Sequence, residues 1–140
     1  MFYKLVGKDE FYSAINIIKY RINDIREAHE FGAESIKVCY DRANHNFAKY
    51  YIVYEDNGVP IVTVMLQRDG NLVFFISGTV SSPIALIKLL KGLANNTVAN
   101  IGAIFTKTIN WYNEAIRLNG LIGFRLYQRY DSYDIYVKDI

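Results

Sequence analysis

Cysteine, which can cross-link a fold, and proline, which ends helices and strands, are both scarce in this chain: it has one cysteine and two prolines among its 140 residues. A lone cysteine, Cys39, excludes an internal disulfide and suits a reducing compartment. Two prolines and nine glycines leave little room for linkers, so the length predicts a single domain over residues 1–140. A chain of this size can bury enough apolar surface to form one stable core without disulfides or a structural metal.

Clustered charge and long apolar runs are also missing. The chain has 16 basic and 14 acidic residues and a net charge of +2, which argues against a nucleic-acid partner because that function needs a clustered basic face. No apolar stretch approaches the roughly 20 residues of a membrane-spanning helix, and the first residues show no export signal. One cysteine and two isolated histidines do not make a zinc site. We therefore expect no nucleic acid, no membrane, no metal and no secretion by a signal peptide.

Aromatic residues are abundant instead, with twelve Tyr and eight Phe, and such residues favour pleated surfaces. Periodicity predicts the order strand, helix, three antiparallel strands, helix, strand, helix and a closing strand pair. Asn57-Gly58 is the strongest hairpin signal, and the strand–helix–strand unit from Leu72 to Thr106 should pair in parallel. The order predicts an α+β (mixed α/β) fold: one mostly antiparallel, twisted sheet of about six or seven strands with helices on both faces.

Two helices carry boundary signals in the sequence. The first is predicted to begin at the N-cap Asp9, and its apolar stripe continues to about Glu30. The second is predicted to begin with Ser82 as N-cap and Pro83 as the first helical residue. We expect the polar run Asn95–Asn100 to break that second helix.

The last third of the chain carries a more specific pattern. A strand over Ile101–Thr106 leads into a helix over Trp111–Leu121 with Ala115 on its inward face, and Gly123-Phe124 then opens an aromatic strand pair. In this order the chain resembles the GNAT superfamily, the acetyl-CoA-dependent N-acyltransferases. The resemblance covers roughly the whole chain in element order, whereas the specific residues lie in the last third.

A narrower resemblance rests on short matches that occur in the same order as in small GNAT-like proteins of tailed bacteriophages, some of which are internal virion proteins. The matches are Asp24-Ile-Arg-Glu-Ala28, Gly32-Ala-Glu-Ser35, Asn57-Gly58-Val-Pro60 and Ile76-Ser-Gly-Thr79. This resemblance implies a phage structural protein or a host protein as partner, and the host cytoplasm or the virion as location.

The superfamily resemblance implies acetyl-CoA or CoA as the cofactor. GNAT enzymes hold its pyrophosphate on backbone N–H groups at a helix start, where the helix dipole favours an anion. The corresponding residues here are Ile76, Gly78, Thr79, Ser81 and Ser82. The family's loop carries a basic or Gln residue and further small residues, whereas this stretch has no glycine after Gly78, no Arg and no Gln. A capped helix start with small turn residues is the alternative interpretation.

The residues that would perform catalysis depart from the family pattern. Many GNAT enzymes place a Tyr four residues before the "GF" glycine to protonate the departing thiolate, and Asn119 stands there in this chain. An amide cannot act as a general acid. Tyr127 and His45 are the remaining catalytic candidates. Three carboxylates that could act as bases lie in or beside turns, where solvated turn chemistry is the alternative: Glu55, Asp56 and Asp69.

These observations leave three hypotheses of function. The first is a GNAT-fold bacteriophage protein that is catalytically degenerate and acts as a virion-associated or host-interaction protein. The alternative is an acetyl-CoA-dependent N-acyltransferase modifying an amine on a protein or small molecule, because backbone donors tolerate sequence change. The third is a small binding module that uses exposed tyrosines of the last hairpin as anchors.

Overall fold

The computed structural model describes residues 1–18, 49–77, 79–111 and 113–140. These residues form three helices and seven strands, which confirms the predicted mixed α+β fold. Two compact units contain them: an N-terminal unit, residues 1–68 and 73–81, and a C-terminal unit, residues 69–72 and 82–140. The single domain over residues 1–140 stays a prediction.

A four-stranded sheet in the order β1-β2-β3-β4 forms the body of the N-terminal unit, with a helix packed beside it. Its elements are β1 (Phe2–Val6), α1 (Lys8–Ile18), β2 (Lys49–Tyr54), β3 (Pro60–Leu66) and β4 (Leu72–Ile76). The pairs β1–β2 and β2–β3 are antiparallel, and the second of them belongs to the three antiparallel strands predicted from the sequence.

The core of this unit lies between α1 and the two central strands. Phe11, Ile15 and Ile18 recur along one face of α1 and are buried, together with Tyr50 of β2 and Met65 of β3. The rings of Phe11 and Tyr50 have centroids 4.7 Å apart, which is within the range of favourable aromatic pairs. The apolar spacing that predicts the helix therefore also predicts its buried face.

The first helix begins at Lys8, two residues earlier than the predicted N-cap Asp9 implies. Its opening hydrogen bond runs from the N–H of Phe11 to the carbonyl oxygen of Gly7, over 3.1 Å. Asp9 therefore lies in the first turn of α1 and is not the N-cap. A carboxylate in this turn still interacts favourably with the helix dipole. The stripe predicted beyond Ile18 lies outside the described residues.

The turn between β2 and β3 fixes the backbone of Glu55. The N–H of Glu55 donates to the carbonyl oxygen of Val59 over 2.9 Å. The N–H of Gly58 donates to the carbonyl oxygen of Glu55, also over 2.9 Å. Gly58 has a φ of 85°. The hairpin is therefore closed by a three-residue loop with glycine in the left-handed region, one residue longer than a type I′ turn.

The C-terminal unit contains an antiparallel sheet in the order β5-β7-β6 and two helices. Its elements are α2 (Pro83–Ile101), β5 (Ala103–Ile109), α3 (Asn113–Ile122), β6 (Arg125–Arg129) and β7 (Tyr133–Asp139). Asn71, just before β4, forms a parallel bridge with Phe105, whose N–H donates to the carbonyl oxygen of Gly70 over 2.9 Å. This single bridge has the parallel direction predicted around α2, but β4 and β5 belong to different sheets.

The start of α2 is as predicted, but its end is not. Ser82 caps the helix by accepting a hydrogen bond on Oγ from the N–H of Ala85, over 3.2 Å. The predicted break at Asn95–Asn100 is wrong, because α2 continues to Ile101 and ends at Gly102, with a φ of 92°. Asn95, Asn96 and Asn100 are all exposed, and the buried Ala94 and Val98 continue the apolar face of the helix.

Gly123-Phe124 forms the C-terminal cap of α3. The N–H groups of both residues donate to the carbonyl oxygen of Asn119, over 3.2 and 2.9 Å. Gly123 has a φ of 107°, and a Cβ atom there would lie 2.3 Å from Nζ of Lys138. Lys138 in turn donates to the carbonyl oxygen of Ile122 over 3.1 Å. The positive φ of this cap is the conformation that favours glycine, whereas the Lys138 amino group ends a flexible side chain that can move away from a Cβ atom.

Candidate functional site

The loop that follows β4 is held at its start by the neighbouring strand. Ser77 is buried, and its N–H donates to the carbonyl oxygen of Ile61 in β3 over 2.7 Å. The hydroxyl of Ser77 accepts a hydrogen bond from the N–H of Thr79 over 3.2 Å. Gly78 lies outside the described residues. The first part of the predicted cofactor loop is therefore anchored to the sheet of the N-terminal unit.

The far end of the same loop is bonded to a carboxylate from the β2–β3 turn. The N–H of Ser81 donates to Oε1 of Glu55 over 2.8 Å, and the Ser81 hydroxyl donates to Oε2 over 2.5 Å. One serine thus engages both oxygens of one carboxylate. We call this pair of hydrogen bonds the Glu55–Ser81 clasp.

Electrostatics keep Glu55 ionised in the clasp. The Ser81 hydroxyl, and after it the Ser81 N–H, lower the pKa of Glu55, because both donate hydrogen bonds to the charged form. Partial desolvation and the neighbouring Asp56 oppose this by raising the pKa, whereas the amino group of Met1 lowers it. The Ser81 donors therefore bind an anion at neutral pH.

The remaining residues predicted for cofactor binding are placed as follows. Ile76 is half-buried at the end of β4, Thr79 is exposed, and Ser81 is exposed. In the C-terminal unit, Ser82 is half-buried and its hydroxyl oxygen is already used as the cap of α2. The role of these residues in cofactor binding stays a prediction, and the capped helix start is confirmed for Ser82.

Asn119, at the position of the family's general acid, points into the interior of the C-terminal unit. Its side-chain amide donates to the hydroxyl of Thr108 in β5 over 2.8 Å, and the two residues are only 5% and 8% exposed. This buried amide, which donates a hydrogen bond to a residue of β5, helps to hold α3 against β5. It gives this chain no proton donor at that position.

Tyr127, the catalytic candidate on the last hairpin, lies on β6 and is 60% exposed. Its ring packs edge-on against Phe105, with centroids 5.6 Å apart. Tyr130 instead stacks on Tyr133 at 4.7 Å, and Nζ of Lys107 lies 3.9 Å from the centroid of the Tyr133 ring. The exposed tyrosines of this hairpin therefore belong to two ring contacts. His45, the other catalytic candidate, lies outside the described residues.

Two of the three turn carboxylates have partners outside the predicted cofactor loop. Oδ1 of Asp69 accepts a hydrogen bond from the N–H of Asn71 over 3.0 Å, and Asp56 pairs with the amino group of Met1. Of the three, Glu55 is the one bonded to the predicted cofactor loop, through Ser81, which is 26 positions away in the chain. The sequence marks Glu55 only as a turn residue, and no local pattern indicates so distant a partner.

Within residues 1–18, 49–77, 79–111 and 113–140, no three His, Cys, Asp or Glu side chains converge as a metal site would require. Over the same residues, no helix combines the length and the apolar character needed to cross a membrane.

Comparisons with known proteins give a consistent result at the level of structure. No protein-family model matches the sequence, and a search of curated proteins finds no match. The structure is similar to ribosomal-protein-S5-alanine acetyltransferase from Vibrio fischeri, with 12% identity and a TM-score of 0.65, over 98% of this chain and 91% of that one. It is also similar to spermidine N-acetyltransferase from Vibrio cholerae, with 13% identity and a TM-score of 0.64, over 98% and 92% of the two chains.

A third similar structure holds a ligand. This is a GNAT superfamily phosphinothricin acetyltransferase from Sinorhizobium meliloti in complex with AcCoA, with 14% identity and a TM-score of 0.65, over 99% of this chain and 87% of that one. At such low identity, a likeness over nearly the whole chain shows the fold and leaves activity and substrate to be established. The chain has the fold of the GNAT acetyltransferases.

Proposed function

We propose that this protein is an acyl-CoA-dependent N-acyltransferase, which transfers an acyl group from a thioester to an amine. The observation that carries the proposal is the likeness, over nearly the whole chain, to solved acetyltransferases, one of them in complex with AcCoA. Fold alone does not fix chemistry, so the proposal also needs local support.

Local support comes from the loop residue Ser81. A backbone N–H and a hydroxyl that converge on two oxygens of one anion are the donors that a phosphate group needs. The anion held there is the Glu55 carboxylate, whose two oxygens stand in for two oxygens of a phosphate. Acetyl-CoA or CoA fits this chemistry, and its phosphates would bind at the Ser81 donors.

The reaction needs two proton movements that the chain must support. The amine nitrogen attacks the thioester carbonyl carbon, the C–N bond forms, the C–S bond breaks, and the amine proton is lost while the thiolate gains one. Asn119 cannot supply that proton, because it is a buried amide bonded to Thr108. Tyr127 and His45 stay the candidates for proton transfer. A missing general acid lowers rates by about 10²–10⁴-fold, so we expect slow transfer.

The test is an acyl-transfer assay on the full chain. Acetyl-CoA is supplied with a polyamine, a free amino acid or a peptide with a free N-terminus, and the acetylated amine is measured by mass spectrometry. Mixtures without amine or without protein are the controls. We expect amine-dependent product, formed slowly. Absence of product with every amine, together with absence of acetyl-CoA binding, would contradict the proposal.

A catalytically degenerate GNAT-fold protein is the second candidate, and the buried Asn119–Thr108 hydrogen bond is the observation that favours it. It predicts that the chain binds acetyl-CoA or a protein partner and yields no acetylated amine. Nothing in the fold or in the comparisons links the chain to bacteriophage proteins. A phage or host partner, and a location in the virion or the host cytoplasm, stay predictions that binding to purified phage particles would test.

A further inference from the structure

We propose that Glu55 is an internal competitor for the Ser81 donors, so that the Glu55–Ser81 clasp is an autoinhibitory contact that a phosphate-bearing ligand must displace. The contact itself lies within the N-terminal unit and is independent of any ligand. The identity of the ligand, an acyl-CoA, rests on the proposed function.

The geometry makes the clasp a defined contact between two anchored ends. The backbone N–H and carbonyl of Glu55 are both used in the β2–β3 turn, which holds its Cα in place. The other end is the loop whose first residue, Ser77, is bonded to Ile61 of β3. Rotation of the Glu55 side chain is therefore enough to release Ser81, without any change in the sheet.

A bound phosphate and the Glu55 carboxylate cannot occupy these donors together. The Ser81 hydroxyl has one proton and its N–H has one, and the clasp uses both. Two anions at one set of donors would also repel each other. The other charges that act on Glu55 are the Met1 amino group and Asp56, and these two groups pair with each other. Displacement of Glu55 is therefore the route by which a phosphate would gain both donors.

The direction in which anion affinity changes when Glu55 is removed distinguishes competition from a purely structural role. If Glu55 only holds the loop in shape, its removal should loosen the loop and weaken anion binding. If Glu55 competes, its removal should strengthen anion binding, because the apparent dissociation constant is the intrinsic value divided by the fraction of released molecules. A released fraction of about one tenth would make the gain about tenfold.

The experiment is calorimetric titration of the full chain with inorganic pyrophosphate and, separately, with CoA. The variants are Glu55→Ala and Glu55→Gln, each confirmed as folded by circular dichroism. The matched control is Asp56→Asn, which removes one negative charge from the same turn but leaves the Ser81 contact intact. We expect Glu55→Ala to bind pyrophosphate at least about tenfold more tightly than the unmodified chain, with Asp56→Asn within about twofold of it.

The two ligands distinguish failure of this inference from failure of the proposed function. Equal or weaker pyrophosphate binding by both Glu55 variants would overturn the competition, whatever happens with CoA. An equal gain in Asp56→Asn would also overturn it, since general charge would then explain the result. Tighter pyrophosphate binding in the Glu55 variants without any binding of CoA would support the competition and count against the acyl-CoA ligand.

Discussion

The residues that matter most are a serine pair with different tasks. Ser82 uses its side chain to cap α2, whereas Ser81 uses its side chain and its N–H to hold Glu55. The first task could be predicted from sequence, because a cap and its helix are neighbours and Pro83 follows directly. The second could not, because it depends on where the β2–β3 turn lies relative to a loop 26 positions away.

The clasp predicts an unusual acidity for Glu55. Since the Ser81 hydroxyl is the main cause of its lowered pKa, the titration of the Glu55 carboxyl, followed by NMR of its carbon, should lie below the ordinary glutamate value of about 4.3. Because folding lowers this pKa, the ionised Glu55 stabilises the fold at any pH above the ordinary glutamate pKa. That stabilisation is lost as the pH falls through the lowered pKa of the folded state. In Ser81→Ala the pKa should rise toward the ordinary value. An unchanged pKa in that variant would contradict the clasp.

Asn119 gives a second prediction at the residue scale. Asn119→Ala leaves the buried Thr108 hydroxyl without its donor, which should lower the free energy of unfolding by about 1–3 kcal/mol in urea titrations. The double variant with Asn119→Ala and Thr108→Val should lose less stability than the sum of the losses in the two single variants, because the pair shares one hydrogen bond. Strictly additive effects would show that the two side chains do not interact.

At the scale of elements, α2 shows what periodicity predicts well and what it does not. The start of the helix and the burial of Leu90 and Leu93 agree with the pattern of the sequence. Ile84, which the same apolar spacing predicts to face inward, is exposed, and Leu86 is buried instead. The end of the helix does not agree with the pattern, because exposed asparagines weaken a helix without ending it when buried residues such as Val98 continue beneath them. The end is set by Gly102, whose N–H bonds to the carbonyl oxygen of Val98 over 2.8 Å.

Two glycines of this region allow the extent of α2 to be tested with one substitution at each. Gly92→Ala, within the helix and with open space for a Cβ, should raise the free energy of unfolding by about 0.5–1 kcal/mol. Gly102→Ala also has open space, but its φ of 92° is strained for alanine, so it should lower that free energy by about 1–2 kcal/mol. Thermal or urea unfolding measures both. Effects of the same sign would place the end of α2 elsewhere.

At the scale of the whole molecule, the order of elements in the described residues could be predicted, because strand and helix periods differ clearly and turn residues separate them. The Gly123-Phe124 pattern pointed to the right fold, and the structure gives it a local reason in the cap of α3, where Gly123 has a positive φ. The division of the strands into two sheets could not be predicted, because it depends on long-range pairing. Binding of a cofactor cannot be established from the sequence pattern alone, because the fold does not fix the chemistry of the site.

Calorimetric titration of acetyl-CoA into the full chain and into Glu55→Ala tests the central claim most directly, since the claim is that this GNAT-fold protein binds an acyl-CoA. We predict saturable one-to-one binding, tighter in Glu55→Ala, with stabilisation of about 2.7 kcal/mol at a ligand concentration 100 times the dissociation constant. No saturable binding by either protein at about 1 mM acetyl-CoA, which corresponds to about −4.1 kcal/mol, would contradict it.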